Sequence, residues 1–350
     1  MLKVGVIGGG SISQFHLGPY FAHPQVELLA ICDHNEQRLQ KLGETYQVTK
    51  LYTHVDALLA NEEIDAVSIC TWNNSHAQLA IKALESGKHV LLEKPLSVTL
   101  DEAYAIQEAV KQSNKILQVG YVRRFASNVA VLKKFIDADE LGELYYAKAS
   151  CLRRLGNPGG WFSDRSKSGG GPLMDLGVHM IDLCWYLMGK PKPVSVTGNT
   201  YRKLGNRAHI ENLSFYKAAD YNAELNDVED LANALIRFEN GASLFVDVSF
   251  TLQAKQDEIA VKLYGEKGGA EIEPELVIVQ ERHDTILNVT PQIDRLGFDF
   301  EGAFTNEIHH FVTCCLTGTQ PISPVEDGVE IMKMLCAIYE SAATGQEIKL

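Results

Sequence analysis

The first third of the chain alternates between two hydrophobic periods. Short β-rich runs recur at residues 2–8, 26–33, 64–71, 88–93 and 115–122. Segments with helical spacing lie between most of them, at 12–22, 35–46, 75–86 and 101–113. This alternation predicts right-handed β–α–β crossovers and a doubly wound parallel sheet. The run at 64–71 is almost continuously apolar, as expected for a strand of a sheet that is covered on both faces.

The pattern changes after about residue 124. A predicted helix at 128–137 is followed by long alternating runs near 143–154, 194–201, 230–238, 242–252, 258–264 and 276–280. Asn240-Gly241 is a strong hairpin turn signal between two of these runs. Helical patterns return at 301–317 and 326–343. We therefore predict one domain at 1–123 and a second, α+β domain at 124–350, with a large open, mostly antiparallel sheet that has one face open or paired with another subunit.

Composition narrows the class of partner. The 350 residues include 32 basic and 45 acidic side chains, a net charge of −13, which argues against nucleic acid or an anionic membrane as the main partner. No apolar run approaches the roughly 18 residues of a membrane span. The chain enters its first strand at Leu2, so we expect no signal peptide. Seven cysteines without a C-x-x-C pair indicate reduced thiols and a cytoplasmic protein.

The loop Gly8-Gly9-Gly10-Ser11-Ile12-Ser13 directly follows the first predicted strand. It fits G-x-G-x-x-(G/A), with Ser13 as the small third residue. In such a loop the first glycine allows a tight turn, the second lets backbone approach a pyrophosphate, and the phosphates lie at the helix N-terminus. Glycines also simply end strands, so the loop alone is a weak signal.

Asp33 strengthens the dinucleotide hypothesis. It ends the second predicted strand about 20 residues past the glycine loop, where a carboxylate can bond a ribose 2′-hydroxyl. The same carboxylate would repel a 2′-phosphate, which favours NAD over NADP. Asp33 could equally be the N-cap of the next helix. Arg38, one turn into that helix, could contact the adenosine, pair with Glu36 or face solvent.

Further polar motifs follow later strands. The segment Thr71 to His76 follows one strand, and Glu93-Lys94-Pro95 ends the next. Ligands of open parallel sheets bind outside the carboxyl ends of the strands, so several polar motifs at one edge indicate a site. For each motif alone an ordinary explanation exists: Asn74 or Ser75 caps a helix, His76 is a surface histidine and Lys94 is a solvated lysine.

The second domain carries the stretch from Gly169 to Asp182, which is mostly apolar. Asp175 and His179 are four residues apart and would share one face of a helix. A buried Asp and His need partners or a pocket, although a hydrogen-bonded core histidine would satisfy the same rule. The spacing also fits two metal ligands, but no third or fourth ligand lies at a usual interval. His309 and His310 are adjacent, face different ways on a helix and are interpreted as surface or interface residues.

Together these motifs resemble the Gfo/Idh/MocA oxidoreductase family over essentially the whole chain. The resemblance rests on the strand–GGGS–helix start, Glu93-Lys94-Pro95, the run from Gly120 to Phe125 and the run from Gly171 to Asp182. It implies an N-terminal Rossmann domain, a C-terminal substrate-binding and oligomerisation domain, and NAD- or NADP-dependent redox chemistry on sugars, inositols or related polyols. Trp72 is a departure, because many relatives have proline there.

The resemblance also assigns residues. Lys94, Asp175 and His179 match the catalytic trio, and the Lys94-Pro95 bond is expected to be cis. The expected cofactor-binding residues are Gly8, Gly10, Ser11, Ile12, Asp33, Arg38, Thr71, Asn73, His76, Glu93 and Lys94. Tyr121, Arg124, Trp161 and Phe162 are candidates for the sugar-facing wall, with packing as the alternative for each aromatic. The C-terminal sheet is expected to form a homodimer or homotetramer.

Elementary chemistry suits these roles. Histidine titrates near neutral pH, so His179 is assigned as general acid/base. Lys94 would hold the substrate oxygen and stabilise a developing alkoxide, and Asp175 would orient His179 or bind a second hydroxyl. A relay with the Lys94 and His179 roles exchanged stays open. Two other functions also stay open: a dinucleotide-sensing regulator without turnover, and glycoside cleavage in which bound NAD cycles.

Overall fold

A computed structural model of the protein describes residues 1–218, 220–222 and 224–350. These residues form two compact units, residues 1–122 with 300–332 and residues 123–299 with 333–350. The segment 300–332 therefore belongs to the first unit, although the sequence pattern assigned it to the second domain. The sequence of the segment 202–226 is polar and irregular, which predicts a surface excursion, and two of its residues lie outside the described ranges.

The first unit is built on a six-stranded parallel sheet in the order β3-β2-β1-β4-β5-β6. Its strands are β1 (Leu2–Ile7), β2 (Val26–Cys32), β3 (Lys50–Tyr52), β4 (Ala66–Ile69), β5 (His89–Glu93) and β6 (Leu117–Gly120). The helices are α1 (Gln14–Ala22), α2 (Glu36–Tyr46), α3 (Val55–Leu59), α4 (His76–Glu85) and α5 (Leu100–Ser113). The strand order reverses between β1 and β4, which creates the crevice where ligands of such sheets bind.

The predicted parallel sheet is confirmed, and its central strands are buried on both faces. Val4, Val6 and Leu91 are each 0% exposed. The pattern missed β3 and α3, because elements of three and five residues are too short to show a period. A capping box starts α5, where Thr99 accepts from the Glu102 amide and the Glu102 side chain accepts from the Thr99 amide.

The second unit is built on a nine-stranded mixed sheet in the order β14-β13-β12-β11-β7-β10-β9-β8-β15. Only the β7–β10 pair is parallel among the described strands of this sheet. The strands are β7 (Leu144–Leu152), β8 (Pro193–Tyr201), β9 (Leu231–Phe238), β10 (Ser243–Ser249), β11 (Glu258–Gly265), β12 (Gly268–Glu273), β13 (Val277–Arg282), β14 (Thr285–Val289) and β15 (Ile348–Lys349). The large, mostly antiparallel sheet is thus confirmed.

The hairpin signal at Asn240-Gly241 is confirmed. It joins β9 to β10, which pair antiparallel, and Gly241 has a φ of +85°. Along β10, buried Leu244 and Val246 alternate with half-buried Phe245 and Asp247. One face of the sheet is therefore packed, and the opposite face is only half covered within one chain.

The helices of the second unit and the late helices complete the fold. They are α6 (Ser127–Asp137), α7 (Arg165–Ser168), α8 (Val178–Leu187), α9 (Phe300–Thr317) and α10 (Val325–Thr344). The helix α9 belongs to the first unit because Ile308 and Phe311 enter the core formed by α1, β1 and β2. No helix in the described part of the chain has the length and apolar character needed to cross a membrane.

Candidate active site

The glycine loop after β1 has the backbone geometry that its sequence predicted. Gly8 has a φ of +93°, and a Cβ there would lie 2.6 Å from the Cys70 carbonyl oxygen. At Gly10 an added Cβ would meet no described atom within 4 Å, so the backbone is open to a ligand. Ser13 is 0% exposed and its hydroxyl donates to the Gly10 carbonyl at 2.7 Å. A small third residue thus packs helix against strand, as a dinucleotide loop requires.

The Asp33 carboxylate is buried and faces the glycine loop. One oxygen accepts from the Gly9 amide at 2.7 Å and from Arg38 Nη1 at 3.2 Å. The other accepts from the Asn35 amide at 2.7 Å. The N-cap of α2 is Asn35, which accepts from the Arg38 amide, so the N-cap interpretation of Asp33 was wrong by two positions. Arg38 pairs with Asp33 rather than with Glu36, so the Asp33 carboxylate accepts from two backbone amides and one guanidinium.

These residues fit a nicotinamide dinucleotide. The open Gly10 backbone lies directly before α1, where a helix N-terminus favours phosphate oxygens. Ser11 is exposed and Ile12 half-buried in the same loop. The buried Asp33 carboxylate can accept hydrogen bonds from ribose hydroxyls and disfavours a 2′-phosphate. The residues of this loop therefore suit NAD better than NADP.

The loop after β4 is fastened to the end of β5 by His76. This side chain is 0% exposed, with Nδ1 2.7 Å from the Pro95 carbonyl oxygen and Nε2 3.2 Å from the Thr71 carbonyl oxygen. Burial lowers the pKa of His76, so the ring is neutral at pH 7 and donates through one nitrogen. Thr71 Oγ1 contacts Ser75 Oγ at 2.7 Å, and Asn73 is buried in a 3-10 turn. His76 thus connects two strand ends.

Glu93, Lys94 and Pro95 form the turn after β5, and the Lys94-Pro95 bond is cis as expected. Glu93 Oε1 lies 2.9 Å from His16 Nε2, and Glu93 Oε2 accepts from the Lys94 amide at 3.2 Å. Both His16 and Glu93 are buried. Sequence analysis missed His16; its only signal was a histidine on the buried face of α1, one position before Leu17.

In the second unit, a glycine run packs against two side chains that are distant in sequence. A Cβ at Gly170 would lie 1.9 Å from the Tyr339 hydroxyl oxygen, and one at Gly171 would lie 2.4 Å from the Glu229 carbonyl oxygen. The Glu229 carboxylate accepts from the amides of Gly171 at 2.9 Å and Leu173 at 3.2 Å, and from the Tyr339 hydroxyl at 2.9 Å. Burial and the Glu229 charge raise the pKa of Tyr339, so its phenol stays a donor.

The segment that follows Gly171 presents Asp175 and His179 together. Residues Leu173–Gly177 form a π-helical turn that continues into α8. Between residues 171 and 180 only Asp175 and His179 are half-buried, and the other eight are buried. The prediction that these two side chains share a face is consistent with this exposure, and the carboxylate and imidazole are the accessible polar groups of an otherwise packed helix. π-turns of this kind are frequent at functional sites.

A buried ion pair holds α8 in place. The guanidinium of Arg124 donates to both oxygens of Asp182, at 2.7 to 3.1 Å, and both side chains are at most 1% exposed. Arg124 also stacks over the Tyr186 ring, 4.6 Å from its centroid. The structure therefore gives Arg124 a structural contact where the sequence suggested a sugar-facing side chain. Asp182 lies one turn beyond His179, so this pair supports the helix that carries it.

The remaining candidates fall into two groups. Tyr121 is 1% exposed, which favours its packing role. Trp161 and Phe162 are half-buried and stacked, with ring centroids 3.9 Å apart, and Tyr216 meets Phe162 edge-on at 6.5 Å. These two aromatics remain accessible. Among the described residues no cluster of three or more His, Cys, Asp or Glu could hold a metal ion.

The adjacent histidines of α9 face different ways. His309 is exposed and meets the His23 ring edge-on, with centroids 4.7 Å apart. His310 is half-buried, and its Nε2 accepts from the Ile322 amide at 3.1 Å. Both belong to local packing of the first unit.

Two models of the same protein family match the N-terminal and C-terminal parts of the chain. The Gfo/Idh/MocA family model described as "Oxidoreductase family, NAD-binding Rossmann fold" matches residues 2–121. Its companion, "Oxidoreductase family, C-terminal alpha/beta domain", matches residues 133–350.

Similar curated proteins are dehydrogenases of sugars and inositols. D-glucoside 3-dehydrogenase of Escherichia coli is 30% identical over 100% of this chain and 97% of its own length. NAD(+)-dependent scyllo-inositol 2-dehydrogenase of Bacillus subtilis is 29% identical over 100% of this chain and 96% of its own length. Among solved structures, levoglucosan dehydrogenase in complex with NADH and L-sorbose superposes with a TM-score of 0.87 at 25% identity, covering 100% of this chain and 98% of that one.

Proposed function

The chain belongs to the Gfo/Idh/MocA family of oxidoreductases, and we propose that it transfers a hydride between NAD and a secondary hydroxyl or ketone of a sugar, inositol or related polyol. The observation that carries this proposal is the Gly8–Gly10 loop, whose backbone is open at Gly10 and whose Gly9 amide donates to the buried Asp33 carboxylate. Similar proteins are dehydrogenases of glucosides and inositols, and the half-buried polar side chains of Asp175 and His179 suit the binding of such hydroxyls.

Specific residues would hold the dinucleotide. The backbone at Gly10 and the start of α1 would bind the pyrophosphate, and Asp33 would accept hydrogen bonds from the adenosine ribose. The Thr71–Asn73 segment and the Glu93–Lys94 turn, at the ends of β4 and β5, would line the nicotinamide half. The bound cofactor supplies the hydride acceptor.

Three side chains carry the remaining chemistry in this proposal. His179 takes the proton from the substrate hydroxyl during oxidation, a role that imidazole side chains commonly fill in enzymes. The Lys94 ammonium holds the same oxygen and stabilises the alkoxide as charge develops. Asp175 orients the imidazole or binds a neighbouring hydroxyl. The accessible Trp161 and Phe162 rings offer apolar faces to the C–H surface of a sugar ring.

The test is a spectrophotometric screen for NADH formation with alkyl glucosides, anhydrosugars, inositols and sugar acids. We expect turnover with NAD on at least one pyranoside or inositol and weaker turnover with NADP. With the substrate found, Lys94→Ala should lower kcat by at least about 10³-fold while NAD still binds. Lys82→Ala, which removes an exposed lysine of α4, is the matched control.

Three results would contradict this assignment. Near-native turnover by Lys94→Ala would remove Lys94 from the chemistry. Release of free sugar from a glycoside without NADH accumulation would identify internal redox cycling, and tight NAD binding without turnover on any polyol would favour a regulatory role.

We also propose that the chain assembles with a second copy through the half-covered face of the nine-stranded sheet. This face carries the half-buried Phe245 and the stacked pair Tyr146 and Tyr264, whose centroids lie 5.4 Å apart. Burying such aromatics against a twin sheet would be favourable. Light scattering of Phe245→Glu should show monomers if the face is the interface, whereas Phe21→Glu, at an exposed position of α1, should leave the mass unchanged.

The seven free thiols, all among the described residues, support the proposal of a cytoplasmic location.

A further inference from the structure

A chain of buried polar side chains runs beneath the Glu93–Pro95 turn. His16 Nε2 lies 2.9 Å from Glu93 Oε1, and His16 Nδ1 lies 3.3 Å from Ser68 Oγ. The Ser68 hydroxyl lies 2.8 Å from the Tyr20 hydroxyl. His16, Ser68 and Tyr20 are each 0% exposed, and Glu93 is 6% exposed. Solvent therefore cannot replace any hydrogen bond that this chain loses.

One direction of donation satisfies every member of this chain. In it, His16 Nε2 carries the proton and donates to the Glu93 carboxylate, which accepts. Burial raises the pKa of Tyr20 well above its usual range, so the phenol keeps its proton. Tyr20 can then donate to Ser68, and Ser68 to His16 Nδ1. The arrangement satisfies every member and fixes the orientation of the imidazole ring.

We propose that His16 is a positioning residue for Lys94 and acts through the Glu93 carboxylate. The two oxygens of Glu93 are divided between His16 Nε2, at 2.9 Å, and the Lys94 amide, at 3.2 Å. Because the two oxygens belong to one rigid carboxylate, the hydrogen bond of His16 to Oε1 also orients Oε2. The imidazole therefore determines where the backbone amide of Lys94 is held. His76 fixes the following residue through the Pro95 carbonyl at 2.7 Å. Lys94 is thus held from both sides by buried histidines.

The inference rests on the proposed function only in giving Lys94 a catalytic role. Replacing His16 by leucine would leave a buried carboxylate without its strongest donor, and such a carboxylate rotates or takes up a proton. In either case the Lys94 amide loses its acceptor. This loss can be measured directly, without cofactor or substrate.

The first experiment measures hydrogen exchange of the full chain at single-residue resolution. Pro95 has no N–H, so the Lys94 amide is the only exchanging position between Glu93 and Leu96. We expect His16→Leu to accelerate exchange at this amide by about tenfold or more. His310→Leu, which removes another partly buried histidine of the same unit, should leave it unchanged. An unchanged Lys94 amide in folded His16→Leu would overturn the proposal.

A conservative variant keeps the test decisive if His16→Leu does not fold. The side-chain amide of His16→Gln can still donate to Glu93, so exchange at Lys94 should stay within about threefold of the wild type. Ser68→Ala removes the contacts of Ser68 with His16 Nδ1 and with the Tyr20 hydroxyl but keeps the contact between His16 and Glu93, so it should produce a smaller acceleration than His16→Leu. Equal and rapid Lys94 exchange in all three variants would mean that the His16 hydrogen bond is not what holds the amide.

The second experiment separates positioning from stability. With a substrate in hand, His16→Leu should lower kcat by about 10- to 100-fold, with the substrate KM and the NAD Kd within about threefold. His310→Leu should lower Tm yet keep kcat. Loss of Tm with kcat retained in both variants would reduce His16 to a structural residue. If the wild-type chain oxidises no polyol, the proposed function fails, while the exchange experiment still decides the role of His16.

Discussion

The candidate residues of the two units are held in place by different means. In the first unit, the glycine loop, Asp33, the Thr71–His76 segment and Lys94 all follow strands of one parallel sheet. The fold itself brings these segments to one edge, and buried histidines then join neighbouring loops. In the second unit, the Asp175–His179 helix depends on Glu229, Tyr339 and Arg124, which arrive from remote parts of the chain. The candidate residues of the first unit are therefore positioned by the topology of the sheet, and those of the second unit by individual side-chain contacts.

This contrast has a consequence for mutation. A side chain at a strand end can change without moving the strand, so variants of the candidate residues in the first unit should affect binding more than folding. In the second unit, the buried charges that stabilise the fold also position the helix that carries Asp175 and His179, so their variants should affect both. Four sets of variants test this difference, from the largest expected effect to the smallest.

The largest effect is expected at the Arg124–Asp182 pair. Arg124→Met leaves the Asp182 carboxylate buried without its partner, so the free energy of unfolding should fall by about 3–5 kcal/mol. The double variant with Asp182→Leu should recover most of this loss, because an apolar pair of similar volume can replace a buried ion pair. Urea unfolding of the single and double variants measures both. A loss below about 1 kcal/mol for Arg124→Met would show that α8 does not depend on this pair.

Glu229→Gln tests the second tether. The amide nitrogen of glutamine would face a backbone N–H of Gly171 or Leu173, so two donors would meet where a carboxylate now accepts. We expect a loss of about 1.5–3 kcal/mol in the free energy of unfolding and a drop in kcat of about tenfold. Tyr339→Phe removes one of the three hydrogen bonds and should cost about 0.5–1.5 kcal/mol. Glu347→Gln, at an exposed ion pair, is the control.

The features of the first unit could largely be predicted from the sequence, whereas the contacts that hold the helix of the second unit could not. The parallel sheet, Lys94 and Asp33 were identified because strand periodicity and the rule for sheet edges locate them. The shared exposure of Asp175 and His179 followed from their spacing of four residues. Glu229 lies 58 residues from Gly171, and no local pattern connects the two. The segment 300–332 was predicted as part of the second domain and packs with the first unit, because the apolar face of a helix does not say which core it enters.

In the first unit, Asp33→Ser should change binding more than stability. The hydroxyl cannot replace the charge that accepts from ribose and repels a 2′-phosphate, so the NAD Kd should rise by about tenfold and NADP should bind more tightly than before. Fluorescence titration with both dinucleotides measures this ratio, with Asp56→Ser as an exposed control. Unchanged discrimination would show that Asp33 does not select the cofactor, and a fall in stability as large as that of Arg124→Met would contradict the contrast between the two units.

The smallest effect concerns the pH dependence of the first unit. Burial lowers the pKa of His76 in the folded chain, so the unfolded chain binds a proton that the folded chain excludes. The stability contributed by neutral His76 is therefore present above its unfolded pKa and is lost as the pH falls below it. His76→Gln should remove up to about one proton from the pH dependence of unfolding between pH 7 and pH 5. Urea midpoints across this range measure the slope, and His34→Gln, at an exposed histidine, should leave it unchanged. An identical slope for wild type and His76→Gln would mean that the pKa of His76 is the same in the folded and the unfolded chain, because only then does unfolding neither bind nor release a proton at this residue.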